Sequence, residues 1–285
     1  MKATFRALKI IAVFLLVSIE ASGQKEAGIS IVNRMIERTS KIKTMTYQIT
    51  KEERINGKMF KQMALVKLQI DPVKLYMKEM VPNKGLEILY VRGANNDKAI
   101  VNPNGFPWIN INLDPKDDLM RKNQHHTILE SGFNFMVNVL EYTCIRYKTE
   151  IETLIVNNGI VNYGGTECYS LSMNNPHFRY LDYELQENES TTDVAQRLKI
   201  SEHMILELNK SIKNYGEAGK GQTIKIPSDY CSKINLAVDK EAFLPLKMEI
   251  YDDQGLYEKY EFSELKVNTK ISAEEFSQDF SEYGF

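Results

Sequence analysis

Between residues 44 and 102, apolar side chains recur at every second position in short runs separated by turn residues. That period confines the region to β-strands with one buried face. Residues 45–50 alternate and lead into Asn56-Gly57, the strongest short-range hairpin signal, and 64–70 return as the partner strand. Asp71-Pro72 then turns the chain, and 75–80, 85–91 and 98–102 read as three more strands. The intervening turns are Pro82-Asn83-Lys84, residues 93–96 and Pro103-Asn104-Gly105. Turns this short join neighbours in space, so the expected unit is an antiparallel meander. Ahead of it, 27–41 has the 3.6-residue period of an amphipathic helix, with Ile29, Val32, Met35 and Ile36 on one stripe.

Past the meander the pattern changes twice. Residues 106–114 contain the only Trp, Trp108. The spacing then predicts a helix over 117–140, in two pieces broken near Ser131-Gly132, with Phe133, Met136, Val137 and Leu140 on its apolar face. Alternation resumes over 160–173 around Tyr163-Gly164-Gly165, and again over 233–238, 246–251, 256–262 and 265–268. The tail, 273–285, is acidic and aromatic.

Residues 183–227 read differently, as strand, helix, helix, strand. Val194, Ala195 and Leu198 share one helical face, Ser201 suits an N-cap, Ile205 and Leu208 form the next face, and Thr223-Ile224-Lys225-Ile226 alternates up to Pro227. This order, with Tyr183, Val194-Ala195, Leu198, Ile200-Ser201, Ile205, Leu208-Asn209 and Gly221-Gln222 through Pro227, resembles the LysM module. The family is a small βααβ domain that binds N-acetylglucosamine glycans such as peptidoglycan. Where it usually carries a Gly-Asp-Thr-Leu type loop, this chain has Asn188-Glu189-Ser190-Thr191-Thr192. The resemblance implies glycan contact by Glu189, Ser190, Thr191, Asn209 and Tyr215; the competing reading is that Asn209 caps a helix and Tyr215 packs within the module.

Without that insertion, the order of one helix, a meander, a helical hairpin and further antiparallel strands, closing with 257–262, 265–268 and Phe276, is similar to the LolA/LolB/RseB-like superfamily. Within it, the chain resembles exported proteins of Bacteroidota whose sorting-protein-like domain carries an inserted LysM. The resemblance implies an α+β fold: a curved, unclosed antiparallel β-barrel covered by helices, here spanning 24–182 plus 228–285, with the βααβ module at 183–227. In the carriers of that superfamily the covered face holds lipoprotein acyl chains. The residues matching such a wall are Tyr76, Met80, Leu86, Ile88, Tyr90, Trp108, Ile111, Phe133 and Met136, with 117–140 as a lid. The alternative is that the same side chains form an ordinary solid core.

Residues 1–23 read as a cleaved signal peptide: Lys2, Arg6 and Lys9 precede a short apolar run, and Ala21-Ser22-Gly23 suits a peptidase, giving a mature start at Gln24. Export to a periplasm follows as the expectation. The whole chain has 36 Lys and Arg against 38 Asp and Glu; losing the leader removes three basic residues and one acidic one, for a net charge of −4. No basic stripe marks a nucleic-acid partner. In an oxidising compartment Cys168 and Cys231, which flank the insertion, are positioned in sequence to pair; three free thiols are the other reading.

Sites for catalysis are thin. His125-His126 with Glu130 lacks further ligands at metal spacing, and adjacent helical His point about 100° apart, so a solvated polar segment is the reading adopted. No nucleophile elbow surrounds Ser170, Cys168 or His177. The expectation is a non-enzymatic, cofactor-free envelope protein: a lipid- or lipoprotein-carrier-like domain tethered to peptidoglycan. A wall-binding scaffold without lipid cargo is the alternative, and an accessory to a cell-wall glycan hydrolase ranks below it.

Overall fold

The computed structural model describes residues 26–217, 219 and 221–285; the predicted leader lies outside them. In chain order the elements are α1 (Gly28–Ser40), β1 (Thr44–Ile55), β2 (Lys58–Gln69), β3 (Lys74–Val81), β4 (Glu87–Val91), β5 (Ala99–Asn102), β6 (Ile111–Leu113), α2 (Asn134–Arg146), α3 (Ile151–Leu154), β7 (Ile155–Tyr163), β8 (Thr166–Asn174), β9 (Tyr180–Glu184), α4 (Thr191–Leu198), α5 (Glu202–Leu208), β10 (Thr223–Pro227), β11 (Lys233–Asp239), β12 (Pro245–Asp252) and β13 (Gly255–Val267).

Eleven strands form one antiparallel sheet in the order β6-β5-β4-β3-β2-β1-β13-β12-β11-β8-β7. Its end strands, β6 and β7, do not pair with each other, so the sheet is unclosed. The Asn56-Gly57 hairpin forms as read: both residues have positive φ, 48° and 76°, and Ile55 faces Lys58. Such a turn matches the strand twist, and the two strands stay paired over their full length.

One face carries the main core. Met45 and Tyr47 of β1, Val66 and Leu68 of β2 and Leu75 of β3 point into it, where they meet Ile31, Val32 and Met35 of α1 and Val137 and Leu140 of α2. The opposite face of β2–β4 is covered by the C-terminal tail. Tyr283 stacks on Tyr76 at 3.6 Å between centroids, and Glu275 pairs with Lys67 at 2.6 Å.

The expected two-piece helix over 117–140 is corrected. Residues 114–127 run without regular helix, Ile128–Glu130 is a single 3₁₀ turn, and α2 begins only at Asn134 and continues to Arg146. Two local causes are visible. Asn123 has φ 58°, which ends the turn begun by the Arg121 N–H bonding to the Asp117 carbonyl. Gly132 has φ 86°, and a Cβ there would stand 2.9 Å from Leu68 Cδ2, so the chain passes close over β2 before the helix starts.

Strands β9 and β10 form a separate two-stranded sheet, and with α4 and α5 they enclose their own apolar core of Leu185, Val194, Ala195, Ile200, Ile205, Ile212, Ile224 and Ile226. Ser190 and Ser201 cap α4 and α5 through the Asp193 and Met204 amides. This βααβ unit leaves the main sheet after β8 and re-enters at β11, and those two strands pair directly, Asn174 opposite Lys233. The Asn175 N–H donates to the Ser232 carbonyl at 2.7 Å and closes the feet of the insertion. No Cys168–Cys231 bridge does so: Cys144, Cys168 and Cys231 are all free thiols.

Candidate functional site

The irregular segment 114–127 lies over the sheet beside the βααβ unit, and beneath it is a buried ionic cluster. His125 is only 2% exposed and Glu258 of β13 is 0% exposed. The His125 imidazole donates through Nδ1 to Glu258 Oε1 at 2.6 Å and through Nε2 to the Arg54 carbonyl at 2.9 Å. Glu258 also accepts from the Tyr230 hydroxyl at 3.0 Å and lies 3.3 Å from His126 Nε2. A second buried carboxylate, Glu53 of β1, accepts from the Tyr260 hydroxyl at 2.8 Å and the His125 amide at 3.2 Å. His126 reaches Glu130 at 3.2 Å through Nδ1. The solvated reading of His125-His126 is therefore corrected: the pair is drawn inward by carboxylates 72 and 133 residues away.

Burial alone would depress the His126 pKa, but the Glu258 charge and hydrogen bonds to Glu130 and Glu258 outweigh it and raise it to about 10. Burial would likewise raise Glu258, yet the His126 charge and the His125 bond hold it far below the usual carboxylate range. Glu53 is lowered by Lys51 and the two His against its own burial. A raised His contributes stability that is complete below its unfolded pKa and lost as pH rises through the folded one. A lowered carboxylate contributes stability present above its unfolded pKa. We therefore expect the urea midpoint to be highest between about pH 5 and 6.5 and to fall from there towards about pH 10, and His126→Asn to flatten that alkaline decline. A wild-type midpoint that stays level across the alkaline range would count against a charged His126.

Above this cluster lies an apolar cavity of ≈ 70 Å³, lined by Tyr47, Val66, Met77, Phe135, Met136, Met248, Tyr260 and Phe262, with Lys51, Glu53, Gln124, His126 and Glu130 on its polar side. Of the nine residues expected in a lipid wall, only Met136 lines it. Leu86, Ile88, Tyr90 and Phe133 belong to the core around it. Tyr76 and Met80 do not: Leu75 pairs with Tyr90 and Met77 with Ile88, so the even-numbered β3 residues face the other way, and Tyr76 lies under the tail. Trp108 is 79% exposed and Ile111 is half-buried outside the core. Met77, one of the Met side chains expected from the sequence to give an adaptable lining, does line it. Sequence reasoning missed Phe135, Met248 and Phe262, and above all Glu53 and Glu258.

The βααβ unit clamps this segment from the side. Arg121 Nη1 donates to Glu202 Oε2 at 2.9 Å, its Nη2 donates to the His125 carbonyl at 2.8 Å, and its guanidinium lies 3.2 Å over the Tyr215 ring. His125 stacks on His203 at 4.3 Å, and Ser201 bonds the Tyr257 hydroxyl at 2.9 Å. A groove of ≈ 370 Å³ runs between the two bodies, bounded by Lys116, Arg121, Leu129, Thr192, Lys199 and Tyr215.

The five residues expected at a glycan groove are all engaged within the protein. Glu189 pairs with Arg197 at 2.7 Å and accepts from the Tyr183 hydroxyl. Ser190 is the α4 cap, and Thr191 is buried with its hydroxyl on Glu202 at 2.8 Å. Asn209 joins α5 to β10 through the Lys225 amide and carbonyl. Tyr215 bonds His203 at 2.7 Å beneath Arg121. Among the described residues no cluster of three or more His, Cys, Asp or Glu is arranged to hold a metal.

Residues 42–210 match the model of the family described as "Protein of unknown function (DUF1571)". The chain belongs to that family. No curated protein matches it. Among solved structures it is similar to the Mycobacterium tuberculosis lipoprotein LppX, with 10% identity over 86% of this chain and 97% of that one and a TM-score of 0.41. It is similar to a LolA superfamily protein from Nitrosomonas europaea, with 11% identity over 90% and 100% of the two chains and a TM-score of 0.34. It is also similar to a chain of the Pseudomonas aeruginosa MucA/MucB complex, with 11% identity over 88% of this chain and 60% of that one and a TM-score of 0.40. The family match begins just before β1 and ends beyond α5, so it takes in the hairpin, the ionic cluster's Glu53 and His125, and Arg121 and Glu202 of the clamp.

Proposed function

We propose that this DUF1571 protein is a non-enzymatic periplasmic carrier of acyl chains, held to peptidoglycan by its LysM-like βααβ unit. The observation that carries the reading is the apolar cavity under residues 124–136. Three of its walls are Met side chains, Met77, Met136 and Met248, which adapt to irregular cargo. Its cover begins in an irregular segment tied down by the Arg121 and His125 contacts, which must break before it lifts. An acyl chain moved from water into such a site gains about 0.8 kcal/mol per CH₂. At ≈ 70 Å³ the cavity is too small for an acyl chain, against roughly 300 Å³ or more in ordinary ligand pockets, so loading requires the cover to lift. A glycan reaching Tyr215 displaces Arg121 from its ring, which couples wall contact to that lifting.

The test has two arms. Native mass spectrometry of the purified protein should show bound lipid, and Met77→Trp, which fills the cavity, should abolish it while leaving the circular dichroism spectrum unchanged. Sedimentation with insoluble peptidoglycan should survive Met77→Trp and disappear when 183–227 is deleted. The small cavity favours one second reading, a wall-binding scaffold without cargo; a lipid-free protein that still sediments with peptidoglycan selects it.

A further inference from the structure

Trp108, expected in an interior wall, instead stands at the tip of the β5–β6 turn with Phe106 and Ile109, at 79%, 87% and 64% exposure. The tip is held firmly from below. Asn104 Nδ2 donates to the Lys84 carbonyl at 3.0 Å, the Asn104 amide donates to Asn102 Oδ1 at 2.9 Å, and Asn102 Nδ2 donates to the Gly284 carbonyl at 2.6 Å. The polar groups at its base are thus satisfied within the protein, and what the tip offers outward is apolar. Residues 101–113 contain no charged side chain at all.

The topology gathers more around it. In an antiparallel meander alternate turns fall at one end, so the β1–β2, β3–β4 and β5–β6 turns share it. Residues 55–63 and 80–86, which make the first two of these turns, add the exposed apolar Met59 and Val81 and the exposed Lys58, Lys61 and Lys84, and hold no acidic residue. Glu207 and Glu79 meet these turns at Asn56 and Asn83 and are engaged there, so what the turns themselves offer outward is an apolar tip and three Lys.

We infer that this end of the sheet docks on an anionic lipid bilayer, with Phe106, Trp108 and Ile109 entering the headgroup boundary and the three Lys resting on the phosphates. A convex apolar tip suits a deformable bilayer, where a protein partner has to supply a matching cavity. Trp is the side chain favoured at that depth, and the surrounding Lys contribute through the negative surface potential. The inference stands apart from the carrier reading, because it uses none of the cavity residues and asks for no cargo.

Because Trp108 is the only Trp, its fluorescence reports from the tip itself. The purified protein is mixed with vesicles of phosphatidylethanolamine and phosphatidylglycerol, and in parallel with phosphatidylcholine alone. We expect a blue shift of the emission and co-sedimentation with the anionic vesicles. Both should weaken in high salt and in Lys58→Glu/Lys61→Glu/Lys84→Glu. The surface variant Phe106→Ser/Ile109→Ser, which keeps the reporter, should bind at least about tenfold less. Three outcomes overturn the inference: no shift with anionic vesicles, a shift untouched by Phe106→Ser/Ile109→Ser, or a blue emission without lipid that grows with protein concentration, which places a second copy on the tip.

Discussion

Glu258→Ala is expected to lower the unfolding free energy by about 3–5 kcal/mol, the range for breaking a buried ion pair from one side. Glu258 is fully buried and accepts from His125 and Tyr230 while facing His126. Truncation leaves an imidazolium and several N–H and O–H donors without their acceptor. Glu258→Gln keeps the shape and an acceptor but not the charge, so it should cost less and should also lower the His126 pKa. The alkaline decline in stability then moves to lower pH in that variant. Urea unfolding at about pH 6 measures the first effect, and a loss below about 1 kcal/mol for Glu258→Ala would mean the cluster is not closed to solvent.

The second large effect is expected at the clamp. Arg121 and Glu202 are both buried, and Glu202 also takes hydrogen bonds from Thr191, Thr192 and the Gly216 amide. Arg121→Ala strips the cation from that carboxylate and the cover from Tyr215, again a cost of about 3–5 kcal/mol, concentrated between the two bodies. Each body has its own apolar core, although Met204 of α5 reaches into that of the large sheet. We therefore expect one unfolding transition in the wild type to become two in Arg121→Ala, with amides of 183–227 exchanging hydrogen ahead of those of the large sheet. An unchanged single transition would show that the two cores are joined by something other than this contact.

The strand order was largely legible because alternation and turn chemistry are local. Asn56-Gly57 is a signal two residues long, and the strands on either side repeat it in register. The side on which each strand faces was less legible. β3 reads Leu75-Tyr76-Met77 and ends near Met80, apolar at both parities, because the C-terminal tail covers the far face with Tyr283 as the helices cover the near one. A strand buried on both sides gives no parity cue. The ionic cluster was invisible for another reason. His125 and His126 look like a polar segment until Glu53 and Glu258 arrive from β1 and β13, and nothing in the neighbouring residues announces them. The βααβ order was readable from caps and period, whereas the guanidinium that covers Tyr215 comes from Arg121, far upstream in the other body, and pairs there with the same Glu202 that holds Thr191.

The insertion departs and returns through adjacent strands, with Asn174 opposite Lys233 as the last rung before it. Once the clamp contacts have parted, tension applied to the small body while the large one is held enters the sheet at that rung, crosswise to β8 and β11. In that geometry the hydrogen bonds are loaded one after another, as in a zipper, and the Asn175–Ser232 bond gives first. Pulled at its small body, the protein should first lose the clamp and the Asn56–Glu207 contact and then yield at low force from this corner inward, ahead of the β1–β2 pairing.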